Sequence, residues 1–91
     1  MHYNIDYTDE AREGLARLYK NEPKAFAKAV KLIEELKQHP TTGTGKPEQL
    51  KGIPAGRWSR RINQKHRLVY RIYEEQVVVL VLATYGHYED K

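Results

Sequence analysis

Val77-Val78-Val79-Leu80-Val81-Leu82 is the stretch that most limits what this chain can become. An unbroken run of β-branched and aliphatic residues fits a central strand covered on both faces better than an edge strand. The run is far too short to cross a bilayer, and the start, Met1-His2-Tyr3-Asn4-Ile5-Asp6, lacks the basic and apolar segments of a signal peptide. A soluble, cytoplasmic protein with no membrane partner is expected. With 91 residues there is material for one core only, so residues 1–91 are expected to form a single domain with no separate cofactor domain.

The N-terminal half reads as strand, helix, helix. Tyr3, Ile5 and Tyr7 alternate with His2, Asn4 and Asp6, the pattern of a strand with one buried face. Thr8 is placed to cap a first helix, with Asp9 and Glu10 complementing its dipole and Ala11, Leu15 and Leu18 on one stripe; Gly14 weakens it. Asn21 is expected to cap a second helix, with Pro23 in its first turn. Its apolar stripe is Phe26, Ala29, Val30 and Ile33 with Leu32 or Leu36, opposed by Lys24, Lys28, Lys31, Glu34 and Lys37. Pro40 should end that helix at His39. Residues 40–56 hold Gly43, Gly45, Pro47, Gly52, Pro54 and Gly56, and read as a long connection with one turn around 48–51. Ordered loops of such length are usually functional. Strands are expected at 57–63, 66–73 and 76–88.

Period-two alternation fixes the first hairpin. Trp58 and Ile62, like Leu68, Tyr70 and Ile72, belong in the core, and they share a face only if the loop has an odd number of residues. The simplest loop is Asn63-Gln64-Lys65, of a kind that usually needs a left-handed residue. This register sets Arg61 opposite Arg67 on the outer face, beside Ser59, Val69 and Arg71. Arg60 falls on the core side, where an edge position with a packed stem and a snorkelling head is expected. Facing like charges are unfavourable, and a bound anion would remove the penalty. Surface charges on a half-exposed sheet account for the pair as readily.

Sixteen Lys and Arg against twelve Asp and Glu give a net charge of +4, which favours a polyanion or an acidic protein as partner without choosing between them. The absence of cysteine excludes disulfides, thiolate nucleophiles and Cys-ligated zinc. His2 and His39 have no ligand pattern, and Gly43-Thr44-Gly45-Lys46 lacks the first glycine and following helix of a phosphate loop, so no metal or cofactor is expected. What remains is a set of groups suited to acid–base chemistry on a phosphodiester: Glu48 in the connection, the arginines, His66, and His87-Tyr88 after Gly86. Spacing alone favours a solvated carboxylate at 48, a packing role for His66 and an ordinary polar strand end at 87–88.

Gly45-Lys46-Pro47-Glu48-Gln49-Leu50-Lys51, Gly56-Arg57-Trp58-Ser59-Arg60-Arg61-Ile62, His66-Arg67-Leu68-Val69-Tyr70 and His87-Tyr88, in that order, closely resemble the YoeB/Txe branch of the RelE-like toxins of type II toxin–antitoxin systems. The resemblance covers essentially the whole chain. It implies an α+β fold, a small antiparallel sheet packed against two N-terminal helices in β-α-α-β-β-β order. It also implies a ribosome-dependent endoribonuclease that cuts messenger RNA and inhibits translation. Carried onto matching positions, Glu48 would be the general base, Arg67 the main phosphate-stabilising cation, His87 the general acid and Tyr88 an orienting or stacking group, with Lys51 and Arg61 in supporting phosphate-binding roles. The implied partners are a cognate YefM/Phd-like antitoxin, the ribosome and its message, and operator DNA only through the antitoxin complex; a homodimer is compatible. Lys65, Gly86 and the tail Glu89-Asp90-Lys91 depart from the family pattern. The competing class is a binding module without nuclease activity, either a basic RNA-binding domain or a gyrase-inhibiting toxin.

Overall fold

The computed structural model describes residues 2–51 and 56–86. Strand β1 (Asn4–Tyr7) leads into helices α1 (Asp9–Asn21) and α2 (Pro23–Leu36), followed by β2 (Glu48–Gln49), β3 (Arg57–Arg61), β4 (Arg67–Tyr73) and β5 (Val78–Ala83). The strands form one sheet in the order β1-β5-β4-β3-β2. Two helices on an α+β sheet are thus as expected, with two refinements. A short extra strand, β2, lies where a turn was expected. β1 pairs parallel with β5 while all other pairs are antiparallel, so the sheet is mixed. A parallel β1 follows from connectivity, since two helices stand between it and the rest of the sheet and give the chain room to return in the same direction.

The apolar run does form a central strand, flanked by β1 and β4. Only one of its faces is fully covered: Val79 and Val81 are buried with Ala11, Leu18, Leu32, Leu36, Leu68 and Tyr70, whereas Val78, Leu80 and Leu82 are half-buried. Both helices pack on the same side, and among the described residues no helix covers the other face. Among the described residues, no helix is long and apolar enough to cross a membrane.

Thr8 caps α1 as its position predicts. Its Oγ1 accepts from the Ala11 amide at 3.1 Å and donates to the Leu82 carbonyl at 2.7 Å, which ties the helix start to β5. Asn21 does not cap α2. It is the last residue of α1, and Glu22 is the N-cap, with no side-chain cap bond because its carboxylate is engaged with His66 at 2.9 Å. The buried face of α2 is also rotated from the expected stripe: Ala25, Ala29, Leu32, Ile33 and Leu36 face inward and Val30 is exposed. The helix ends at Leu36, although the His39 amide still reaches the Glu35 carbonyl at 2.8 Å.

Gly14 is a packing requirement. A Cβ there would lie 2.3 Å from Thr84 Oγ1 and 3.1 Å from Tyr85 Cβ, where α1 crosses the end of β5 and Thr84 donates to the Ala11 carbonyl. In an open helix Gly→Ala stabilises by up to about 1 kcal/mol. Here Gly14→Ala is expected to destabilise by about 1–3 kcal/mol, as overpacking does, and denaturant unfolding of the two chains checks the sign.

Candidate active site

The β3–β4 hairpin has the register read from the sequence, with Arg61 opposite Arg67, Ser59 opposite Val69 and Trp58 opposite Tyr70. The Ile62 amide bonds the His66 carbonyl at 3.0 Å, leaving Asn63-Gln64-Lys65 as the loop. No left-handed residue is used in it, contrary to expectation. Asn63 Oδ1 instead accepts from the Lys65 and His66 amides at 2.8 and 2.9 Å, so a side chain substitutes for the backbone conformation.

Arg57 opposes Arg71 four pairs further along, on the same face as Arg61 and Arg67. Four guanidinium-bearing positions thus share one outer surface. Such pairing is unfavourable in isolation by tenths of a kcal/mol to about 1 kcal/mol.

β2 brings Glu48 onto this face. Pairing of Glu48 with Ser59 places the carboxylate on the arginine side, and Gln49 pairs with Trp58. Glu48 Oε1 lies 3.7 Å from Arg67 Nη1, and the same Nη1 donates to Ser59 Oγ at 3.1 Å. Ser59 is buried, so it fixes the guanidinium from below while Glu48, about two-thirds exposed, stays open to solvent. Gly45, Lys46, Glu48, Ser59, Arg61 and Arg67 line a small concavity of about 50 Å³. Of the residues expected to act, Glu48, Arg61 and Arg67 therefore converge. Lys51 is exposed just past β2 and is not part of that lining. His87 and Tyr88 lie outside the described residues.

Three lining residues, Gly45, Lys46 and Ser59, were not assigned roles from sequence. Ser59 was legible, since period two puts it between the arginines. Lys46 was not, because its place depends on Gly45. The Gly45 carbonyl accepts from the Arg61 amide at 2.7 Å with the glycine at φ +86°, and a Cβ there would lie 3.1 Å from both the Arg61 carbonyl oxygen and Leu32. Only glycine lets the connection lie this close to β3.

Arg60 corrects an expectation. It does not snorkel; its side chain is fully buried. All five guanidinium donors find acceptors: Nε donates to Tyr70 Oη at 3.2 Å, Nη1 to Glu35 Oε1 at 2.8 Å and the Thr44 carbonyl at 3.3 Å, and Nη2 to the Thr42 carbonyl at 2.7 Å and the His39 carbonyl. Tyr70 in turn donates to the Pro40 carbonyl at 2.7 Å, and burial pushes its phenol up, keeping it a neutral donor. The Thr44 amide donates to Glu35 Oε1 at 2.9 Å. Hydrogen bonding from Thr44, aided by Arg60 and opposed by desolvation, holds the Glu35 carboxyl below its ordinary value. This node fastens residues 39–44, the segment that leads into Gly45, Lys46 and Glu48.

His66 is buried at the far end of β4's entrance turn. Its Nδ1 accepts from the Gly86 amide at 2.8 Å, its Nε2 meets Glu22 Oε2 at 2.9 Å, and its ring packs on Tyr85 at 4.3 Å between centroids. The Gly86 carbonyl accepts from the Arg67 amide at 2.8 Å, with Gly86 at φ +74°.

Residues 7–88 match the family described as YoeB-like toxin of bacterial type II toxin–antitoxin system. Toxin YoeB of Streptomyces coelicolor is 39% identical over 84 residues, covering 92% of this chain and 98% of the relative. Toxin YoeB of Synechocystis is 40% identical over 85 residues, covering 93% and 96%. Among solved structures, a YoeB/ParE toxin from Agrobacterium tumefaciens superposes with a TM-score of 0.87 at 34% identity, covering 93% of this chain and 99% of the other. A YoeB dimer from Staphylococcus aureus gives 0.83 at 31% identity, and the toxin of a YoeB–YefM complex from the same organism 0.81 at 31%, each covering 97% of this chain and 100% of the other.

Proposed function

Because this chain belongs to the YoeB-like toxins of bacterial type II toxin–antitoxin systems, we propose that it is a ribosome-dependent endoribonuclease that cuts messenger RNA and so stops translation. The observation that carries this reading is the approach of an exposed carboxylate, Glu48, to within 3.7 Å of the Arg67 guanidinium in one concavity beside Arg61. A base and two cations are thereby set around a space in which one phosphodiester can sit.

In the proposed reaction Glu48 takes the proton of the RNA 2′-hydroxyl as O2′ bonds to the adjacent phosphorus. The bond from phosphorus to O5′ breaks, and His87 gives that oxygen a proton. Arg67, held by Ser59, and Arg61 stabilise the negative charge that accumulates on the phosphoryl oxygens. The products are a 2′,3′-cyclic phosphate and a 5′-hydroxyl. Tyr88 is assigned to orienting the scissile nucleotide and Lys51 to a neighbouring phosphate. The nucleophile belongs to the substrate, so no activated water is needed and DNA is not a substrate. The concavity is too small to hold RNA by itself, and the ribosome is assigned the task of presenting the message in near-attack geometry.

The proposed protein partner is a YefM-like antitoxin with an acidic segment that orders over the arginine face. The solved Staphylococcus aureus relatives are described in a complex with YefM and as a dimer, and both assemblies are proposed for this chain. Operator binding would come through the antitoxin complex, and the site of action is the cytoplasm.

Mapping message ends in cells that express the chain tests this. Position-specific cuts bearing 2′,3′-cyclic phosphates, absent with Glu48→Ala and with His87→Ala, are expected. Intact messages together with disturbed DNA topology would instead favour a gyrase-directed toxin.

A further inference from the structure

His66 lies outside the concavity, yet it holds the last described part of the chain before His87. The Gly86 amide points its proton at Nδ1, so that nitrogen must carry a lone pair. The ring proton is then on Nε2, where it is donated to Glu22 Oε2 at 2.9 Å. One neutral tautomer satisfies both contacts, and the ring is 97% buried, wedged against Tyr85, which lies under the Arg17 guanidinium at 4.1 Å. Gly86 is gripped from both sides, since its carbonyl accepts from the Arg67 amide at 2.8 Å.

We propose that His66 is a positioning residue for cleavage: through Nδ1 it fixes Gly86 against the backbone of Arg67, and so sets the point from which the chain enters its His87-Tyr88 end. Glu22, at the junction of α1 and α2, selects the tautomer. A simple packing histidine would need neither bond. The inference rests on the nuclease reading above, because it matters only if His87 acts on the substrate. Its effect is on the rate at saturation, since His66 contributes nothing to the concavity that takes up the phosphate.

Two conservative variants separate the ring's two jobs. His66→Asn keeps an oxygen acceptor near Nδ1 and gives up the Glu22 bond; His66→Gln keeps a donor near Nε2 and gives up the acceptor. In the folded wild-type chain, nitrogen-detected NMR is expected to report the Nε2–H tautomer and a protected Gly86 amide. In His66→Gln, Gly86 exchange should accelerate about tenfold or more. The single-turnover rate on ribosome-bound message should fall about 10- to 100-fold, as small misplacements of reacting groups do, with the half-saturating ribosome concentration unchanged. His66→Asn should stay within about threefold of wild type in both readouts. Equal losses in the two variants would reduce His66 to packing. A wild-type chain that cuts and a His66→Gln chain that cuts equally well overturns the positioning role alone. A wild-type chain that leaves the message uncut overturns the nuclease reading itself.

Discussion

Glu48→Ala is expected to slow single-turnover cleavage of ribosome-bound message by about 10²- to 10⁴-fold, the usual contribution of a positioned general base, and Arg67→Ala by about 10²- to 10³-fold, that of one transition-state donor. The two residues share a phosphodiester in this account, so the double variant should cost much less than the product of the single effects. Multiplicative losses would show that they act separately. Arg67→Lys should recover only part of the rate, because an ammonium cannot donate to Ser59 and to a phosphoryl oxygen in the fork geometry that Nη1 now begins. Arg61→Ala should cost less than Arg67→Ala. Thermal unfolding within a few degrees of wild type for each variant separates lost chemistry from lost fold.

Arg60→Met is the substitution with the largest expected effect on stability, about 3–5 kcal/mol, because it removes one member of a buried ion pair. For a chain of this size that corresponds to a fall in Tm of more than about 10 °C. Much of the loss is backbone. The His39, Thr42 and Thr44 carbonyls lose their donor, and Tyr70 loses its partner on one side. Replacing Glu35 by Leu as well removes the stranded carboxylate but leaves those carbonyls without a donor, so the double variant should not regain wild-type stability. Full recovery would mean that the ion pair alone mattered. The same node predicts a pH dependence. Since the folded Glu35 carboxyl titrates below its ordinary 4.5, its contribution is complete above that value and is lost as pH falls through the lower folded value. The urea midpoint of Glu35→Gln should therefore fall less steeply than that of wild type below pH 4.5.

These two sets of predictions join at β2. Glu48 and Gln49 make only a short pairing with β3, in a connection rich in glycine and proline, and Arg60 is what anchors the segment before them. The buried arginine and the carboxylate proposed as the base lie on opposite faces of the sheet. Loosening the first should lower activity by a smaller factor than Glu48→Ala, even in protein that remains folded.

The hairpin was the most legible part of the chain, because alternation with period two leaves one register that buries Trp58, Ile62, Leu68 and Tyr70 together, and that register opposes Arg61 and Arg67. The same logic put Arg60 on the core side correctly, but its fate depends on what lies above the sheet. Glu35 is 25 residues away in sequence, across the long connection, and the loop carbonyls that complete the node carry no side-chain signal. The strand at 48–49 was hidden because two residues have no period and the flanking Pro47 and Gly52 read as a turn. The direction of β1 was likewise invisible, since alternation is the same in parallel and antiparallel strands. Asn21 has the chemistry of a cap, yet Glu22 takes the position, and its own carboxylate is drawn away by His66, 44 residues further on. His66 was read as packing, which its burial supports; the acceptor role of Nδ1 required knowing that the chain returns to it at Gly86.

A message carrying a single 2′-deoxy nucleotide at the mapped cleavage position, loaded on ribosomes and offered to the wild-type chain, tests the central claim most directly. The account predicts that toxin binds this complex as it binds the all-ribose one and leaves that position uncut, because the carboxylate then has no hydroxyl to deprotonate. Cutting there at the normal rate would mean that the nucleophile is not the message's own 2′-oxygen, and the assignment of Glu48, Arg61 and Arg67 to an internal transfer would be wrong.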